Sequence, residues 1–136
     1  MIRSILYVSR SNLDPRTADE EVSLIVRVSV AWNAIAGITG ALAFTGARFA
    51  QFIEGPADGI AELLDRLHRE DRHSQLAVVL DEEAKERRFS SWQMAYSGPA
   101  DLLAPQLEPL TRGGGTTNRH PAAEDLISLM QAFTTR

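Results

Sequence analysis

The chain contains no cysteine. That excludes disulfides, a thiolate nucleophile and any cysteine-ligated zinc or iron–sulfur centre. Basic residues are outnumbered, 14 Lys and Arg against 18 Asp and Glu, for a net charge of -4. Nucleic acid is therefore not expected as the main partner, because phosphate binding calls for a basic surface. No apolar stretch approaches the roughly 18 residues of a membrane span. The N-terminal apolar run is short, Ile5 to Val8, with no long h-region and no small-residue cleavage site, so no signal peptide is expected. These absences together predict a cytoplasmic protein with no membrane contact. Hydrolase, kinase and dinucleotide signatures are missing: no G-x-S-x-G, no G-x-G-x-x-G, no Walker A and no H-E-x-x-H. His68 and His120 have no ligand-spaced partners, and no metal site is assigned.

What is present is an ordinary globular composition, 44% hydrophobic and 24% charged over 136 residues, enough to build one sizeable core. Residues 2–9 alternate as a strand, with Ile5, Tyr7 and Ser9 on one face. Thr17 and Glu20 read as a capping box that starts a helix, which should stop at Gly37. Val22, Leu24, Ile25, Val26, Val28, Val30 and Trp32 leave that helix almost no polar face, which predicts burial on more than one side. Residues 38–45 and 48–54 are two strands around a Gly46-Ala47 turn. Pro56 then opens a second helix with one apolar stripe, Ile60, Leu63, Leu64 and Leu67. Residues 76–81 form a short strand, DEEAKERR reads as a solvated loop, and residues 91–96 alternate again.

The order is β-α-β-β-α-β-β. That predicts an α+β, ferredoxin-like split βαβ fold with one extra strand: a five-stranded mixed sheet carrying two helices on one face. From Gly98 the texture changes to prolines and Gly113-Gly114-Gly115, and then a helical extension with Leu126, Leu129, Met130 and Phe133 in register. The expected division is a domain over 1–97 and a C-terminal helical cap over 98–136. The cap's stripe must be covered by the sheet or by another chain, and a homo-oligomer, at least a dimer, is expected.

Two polar residues stand out. Gln51 shares a strand face with Phe49 and Ile53, and Tyr7 lies between Ile5 and Ser9. A buried amide or phenol needs hydrogen-bond partners. Either Tyr7 and Gln51 meet each other or a polar-edged ligand beneath the helices, with Asn33 as a third amide, or Gln51 lies on an exposed sheet face and Asn33 merely ends a helix. Trp92 and Met94 read equally well as core filling or as site residues.

The blocks ILYVSRS, WNAIAGITGAL, RFAQFIEGP, DRHSQLAVVLDE and ERRFSSWQM, in this order and spacing, resemble the BLUF family of blue-light sensors that use FAD. The resemblance covers roughly residues 2–96. It implies a flavin ring between the two helices, above the sheet, with FAD as the cofactor and FMN or riboflavin tolerated. It implies that Tyr7 donates an electron to the excited flavin and that Gln51 lies between Tyr7 and the flavin N5/O4 edge. Asn33 would bond the O4/N3 side, and Arg72 and His73 would lie near the pyrimidine end. Ile25 would form an apolar wall, and Trp92 and Met94 would change place or order with light. Ser91 and Trp32 depart from the usual pattern. The tail resembles the helical cap of short, stand-alone members, which signal to a protein partner rather than to a fused enzyme. Two other readings fit parts of the sequence: a light-insensitive ferredoxin-like module that binds a small metabolite at a dimer interface, and a flavin-dependent enzyme.

Overall fold

A computed structural model describes residues 2–89, 95–97 and 119–134. The elements run β1 (Ile2–Ser11), α1 (Ala18–Ala36), β2 (Thr39–Phe44), β3 (Arg48–Gly55), α2 (Ala57–His68), β4 (His73–Ala84), β5 (Ala95–Ser97) and α3 (Arg119–Thr134). The fold is α+β. β1 to β4 pair antiparallel, and the three-residue β5 runs parallel to β2, giving the spatial order β4-β1-β3-β2-β5. The last expected strand is described only from Ala95, because residues 90–94 lie outside the described part.

Side-chain alternation along the strands divides the interior in two. Toward α1 and α2, Ile5, Ile38, Ile53 and Ile60 form one apolar cluster, and Val22, Leu42, Phe44 and Phe49 form another. Toward α3, Leu6, Val8, Ala50, Phe52 and Phe89 pack with Ala123, Leu126, Ile127 and Met130. The tail stripe is thus covered by the chain's own sheet, with Leu129 half-buried on the same cluster. That cover removes the need for a second chain at this face. The side chain of Phe133 is outside the described part.

Three local expectations are corrected. Thr17 precedes α1, but its side chain makes no capping bond to the backbone; its hydroxyl instead bonds the Glu21 carboxylate at 3.3 Å, so the box with Glu20 does not form. β4 runs on through Asp81 to Ala84 rather than giving way to a loop. The reason is cross-strand: Ile2 to Leu6 pair with Leu80 to Ala84, and Arg3 forks onto the Asp81 carboxylate at 2.9 and 3.1 Å. α1 is not covered all round: Leu24, Val28, Val30 and Ile35 stay exposed, Ile35 at 89%. Only one side of the helix meets the sheet, and α2 stands off from it.

Two backbone details bear on the site. Gly37 ends α1 at φ 72°, a left-handed conformation suited to glycine, and reverses the chain into β2. Gln75 in β4 has φ 53°, unusual for a residue with a Cβ, beside a break in the β1–β4 register between Val8 and Arg10. The irregularity falls just after His73.

Candidate functional site

β1 and β3 pair so that Tyr7 lies directly opposite Gln51. Both side chains point to the face beneath α1 and α2, and both are buried, Gln51 at 5% exposure. The Tyr7 hydroxyl donates to Gln51 Oε1. The exposed-face reading of Gln51 is therefore overturned. With Oε1 accepting from Tyr7, the Gln51 NH2 is left as the donor end of the amide.

Above this pair the two helices stand apart and leave an open-mouthed cleft of about 160 Å3. α1 lines it with Ile25, Val28, Ser29, Trp32 and Asn33, and α2 and its exit with Leu63, Arg66, Leu67 and Glu70. Arg72 and His73 at the head of β4, with Leu42 and Phe49 from the sheet, complete the wall. Six residues singled out in the sequence thus converge on one cleft: Tyr7, Ile25, Asn33, Gln51, Arg72 and His73. Trp92 and Met94 lie outside the described residues.

The residues that sequence reading missed carry a simple signal. On α1 they fall at i+3, i+4 and i+7 from Ile25, one helical stripe. On the α2 side Leu63, Arg66, Leu67 and Glu70 repeat that spacing. Leu63 and Leu67 read in sequence simply as core, and Trp32 as a departure from the family pattern. In the structure Trp32 and Arg66 meet across the helices, the guanidinium 4.8 Å from the ring centroid, in a cation–π contact.

Two of the polar groups are already engaged by the protein. Arg72 forks onto Glu70 through Nε at 2.8 Å and its terminal nitrogen at 3.0 Å. This bond holds the Glu70 carboxyl below the ordinary carboxylate range and raises Arg72. His73 Nε2 lies 2.7 Å from the Leu67 carbonyl and Nδ1 lies 2.8 Å from Ser9 Oγ. A carbonyl can only accept, so Nε2 carries the proton, and in the neutral ring Nδ1 accepts from Ser9. The ring stands edge-on to Tyr7 at 5.9 Å. His73 therefore packs against Tyr7 and ties α2 to β1, with neither nitrogen left over for a ligand.

Burial, and secondarily the Glu70 carboxylate, push the Tyr7 phenol far above its ordinary value. It stays protonated and can donate. The sign of the linkage follows: an unfolded tyrosine ionises near pH ~10 while folded Tyr7 keeps its proton, so stability falls as pH rises above that value, by at most about 1.4 kcal/mol per pH unit. Denaturant melts between pH 10 and 12 should show a steeper loss for the wild type than for Tyr7→Phe. Parallel losses would contradict this assignment.

The donor set suits a flat ring with polar edges. Apolar walls from both helices and from Leu42 and Phe49 would flank its faces. The amides of Asn33 and Gln51 lie at the buried end, and the Arg66 guanidinium, with no ion pair among the described residues, can donate from α2. A tricyclic flavin, with alternating carbonyls and ring nitrogens on one side, fits that chemistry.

Fold and cleft together define an α+β module built around a buried phenol–amide pair. Residues 2–95 match the family model described as BLUF, sensors of blue-light using FAD. The chain belongs to that family of flavin-dependent blue-light sensors. The solved dark-state structure of BlrB, a BLUF protein, is 30% identical, superposes with a TM-score of 0.74, and 96% of each chain is covered. The photo-activated state of BlsA shares the fold at a TM-score of 0.80 and 16% identity, over 96% of this chain and 95% of that one. Among curated proteins, a photoactivated adenylate cyclase subunit beta-like protein of Euglena gracilis is 28% identical over 103 residues, 76% of this chain. The chain spans only 12% of the length of that relative. No helix among the described residues is long and apolar enough to cross a membrane.

Proposed function

We propose that this chain binds FAD non-covalently in the cleft between α1 and α2, and that Tyr7 and Gln51 are its photoswitch. The observation that carries the reading is the buried hydrogen bond from Tyr7 to Gln51 at the floor of that cleft. When bound, the flavin supplies the blue absorption and the electron acceptor. Tyr7 holds an oxidisable phenol with its proton already directed at Gln51 Oε1. Asn33 and Gln51 orient the ring's polar edge, and Ile25 excludes water from its face. Arg72 sets the local charge through Glu70, and His73 keeps Tyr7 in place.

Loss of an electron from Tyr7 makes its proton strongly acidic, and Gln51 is the acceptor in contact. When electron and proton return, Gln51 is left with rearranged hydrogen bonds. One exchanged hydrogen bond is worth only about 0.5–1.5 kcal/mol. Driving a two-state element from 1:99 to 99:1 takes about 5.5 kcal/mol. The switch therefore biases its surroundings, with Trp92 and Met94 as the residues expected to respond on the way to a protein partner. We divide the chain accordingly into a flavin module, 1–97, and a helical cap, 98–136. The working form is a cytoplasmic homo-oligomer, whose mass light scattering reads.

The deciding experiment is one spectrum. Protein reconstituted with excess FAD should be yellow, release all its flavin on denaturation, and show a reversible red shift under blue light. FMN and riboflavin should substitute. Folded protein that stays colourless would end this reading.

A further inference from the structure

Outside the cleft, the group with the most unusual surroundings is Glu54. It lies on β3 three residues beyond Gln51 and faces the opposite side of the sheet, with Phe52 and α3. Its side chain is 0% exposed. Oε2 accepts from the backbone N–H groups of Arg88 at 2.7 Å and Phe89 at 2.6 Å, while Oε1 has no partner among the described residues. Burial pushes this carboxyl up, against the two N–H groups and the nearby Arg87 and Arg88 cations that pull it down. A buried carboxylate with half its acceptors idle is a poor choice for stability alone.

What it holds is informative. Arg88 forks onto Glu124 of α3 at 2.6 and 2.8 Å, and its carbonyl accepts from Gln131 of the same helix at 3.1 Å. Phe89, fixed by the same oxygen, packs on Phe52 and in the α3 cluster. Arg87 meanwhile bonds the Glu54 carbonyl, Thr39 Oγ1 and the Gly37 carbonyl at the end of α1. Residues 87–89 therefore form a short bar, tied at one end to β3 and at the other to α3.

We propose that Glu54 and Arg88 are positioning residues that couple β3 to α3, so that a displacement of β3 at Gln51 alters how α3 docks on the sheet. The route is separate from β5. It rests on the photoswitch reading of Gln51, and the test distinguishes failure of one from failure of the other. Charge-assisted bonds at both ends make the bar stiffer than apolar contact alone.

The measurement is amide hydrogen exchange of α3, dark and under blue light, on the full flavin-loaded chain, with the absorption red shift recorded on the same samples. Wild type should show a light-dependent change in α3 protection. In Arg88→Met and Glu54→Gln the red shift should persist at its full amplitude, since neither residue lines the cleft. The exchange difference on α3 should fall at least about threefold, the scale of cutting one hydrogen-bonded link. Arg88→Met removes a half-buried charge and keeps the apolar stem, so it holds the test open if Glu54→Gln folds poorly. An α3 difference unchanged in Arg88→Met, or absent in wild type that does red-shift, would overturn the coupling. A wild type with flavin bound and no red shift would overturn the photoswitch reading beneath it.

Discussion

Tyr7→Phe should bind flavin and give a flat light-minus-dark spectrum. The ring volume is kept, so the packing against His73 survives. What goes is the hydroxyl, and with it both the readily oxidised phenol and the proton directed at Gln51. Gln51→Leu should fail in the same way for a different reason: leucine has no hydrogen bonds to rearrange. Each variant removes the buried Tyr7–Gln51 hydrogen bond, and Gln51→Leu also takes that acceptor from the Tyr7 hydroxyl. A loss of about 1–3 kcal/mol of stability is therefore expected beside the loss of photoactivity. Trp92→Phe is the contrast, keeping the red shift and changing its decay. The comparison needs matched flavin occupancy, and a normal reversible shift in Gln51→Leu would refute the assigned switch.

Gly40→Ala should be among the most destabilising single-methyl changes available in this chain. A Cβ at Gly40 would stand 1.9 Å from the Phe52 carbonyl oxygen and 3.1 Å from the Ile53 Cα, both backbone atoms of the paired strand. Backbone in the middle of a sheet cannot step aside as a side chain tip can. The cost should reach or exceed the ~3 kcal/mol at the top of ordinary overpacking. That is a large part of the roughly 5–15 kcal/mol that holds a domain together. Because β3 carries Gln51, flavin affinity should fall along with the melting temperature. A variant that melts within a few degrees of wild type would show that β2 and β3 can separate locally at no great cost.

The site was legible where strand periodicity is strict. Alternation placed Tyr7 and Gln51 on one face each, and the pairing of β1 with β3 brings them opposite each other. Asn33 could be placed at the end of α1 by its spacing from Gly37. Helical spacing also held the rest of the α1 wall, but only once Ile25 is taken as a reference point. Other features depend on contacts distant in sequence, which no local pattern records. DEEA reads as a charged loop until Arg3 is set beside Asp81. Both ring nitrogens of His73 find protein partners, Ser9 and Leu67, that no spacing rule pairs with it. The Thr17-Glu20 signal is a true helix start, yet the expected reciprocal bonds give way to one with Glu21. The uniformly apolar α1 suggested burial on more than one side, whereas Leu24, Val28, Val30 and Ile35 stay exposed, because hydrophobic side chains are common at protein surfaces and composition cannot say which will be covered.

The sheet of this protein works as a partition. Odd-numbered side chains of β3, Phe49, Gln51 and Ile53, belong to the helix side, and Ala50 and Phe52 to the side that α3 covers. Among the described residues of β3 no side chain spans both compartments, so the cleft and the α3 interface draw on separate β3 side chains with only a peptide ladder in common. Substitutions under α3 should therefore reach the light-absorbing chamber only through the β3 backbone, and a different helix grafted onto that wall would leave the residues lining the chamber in place.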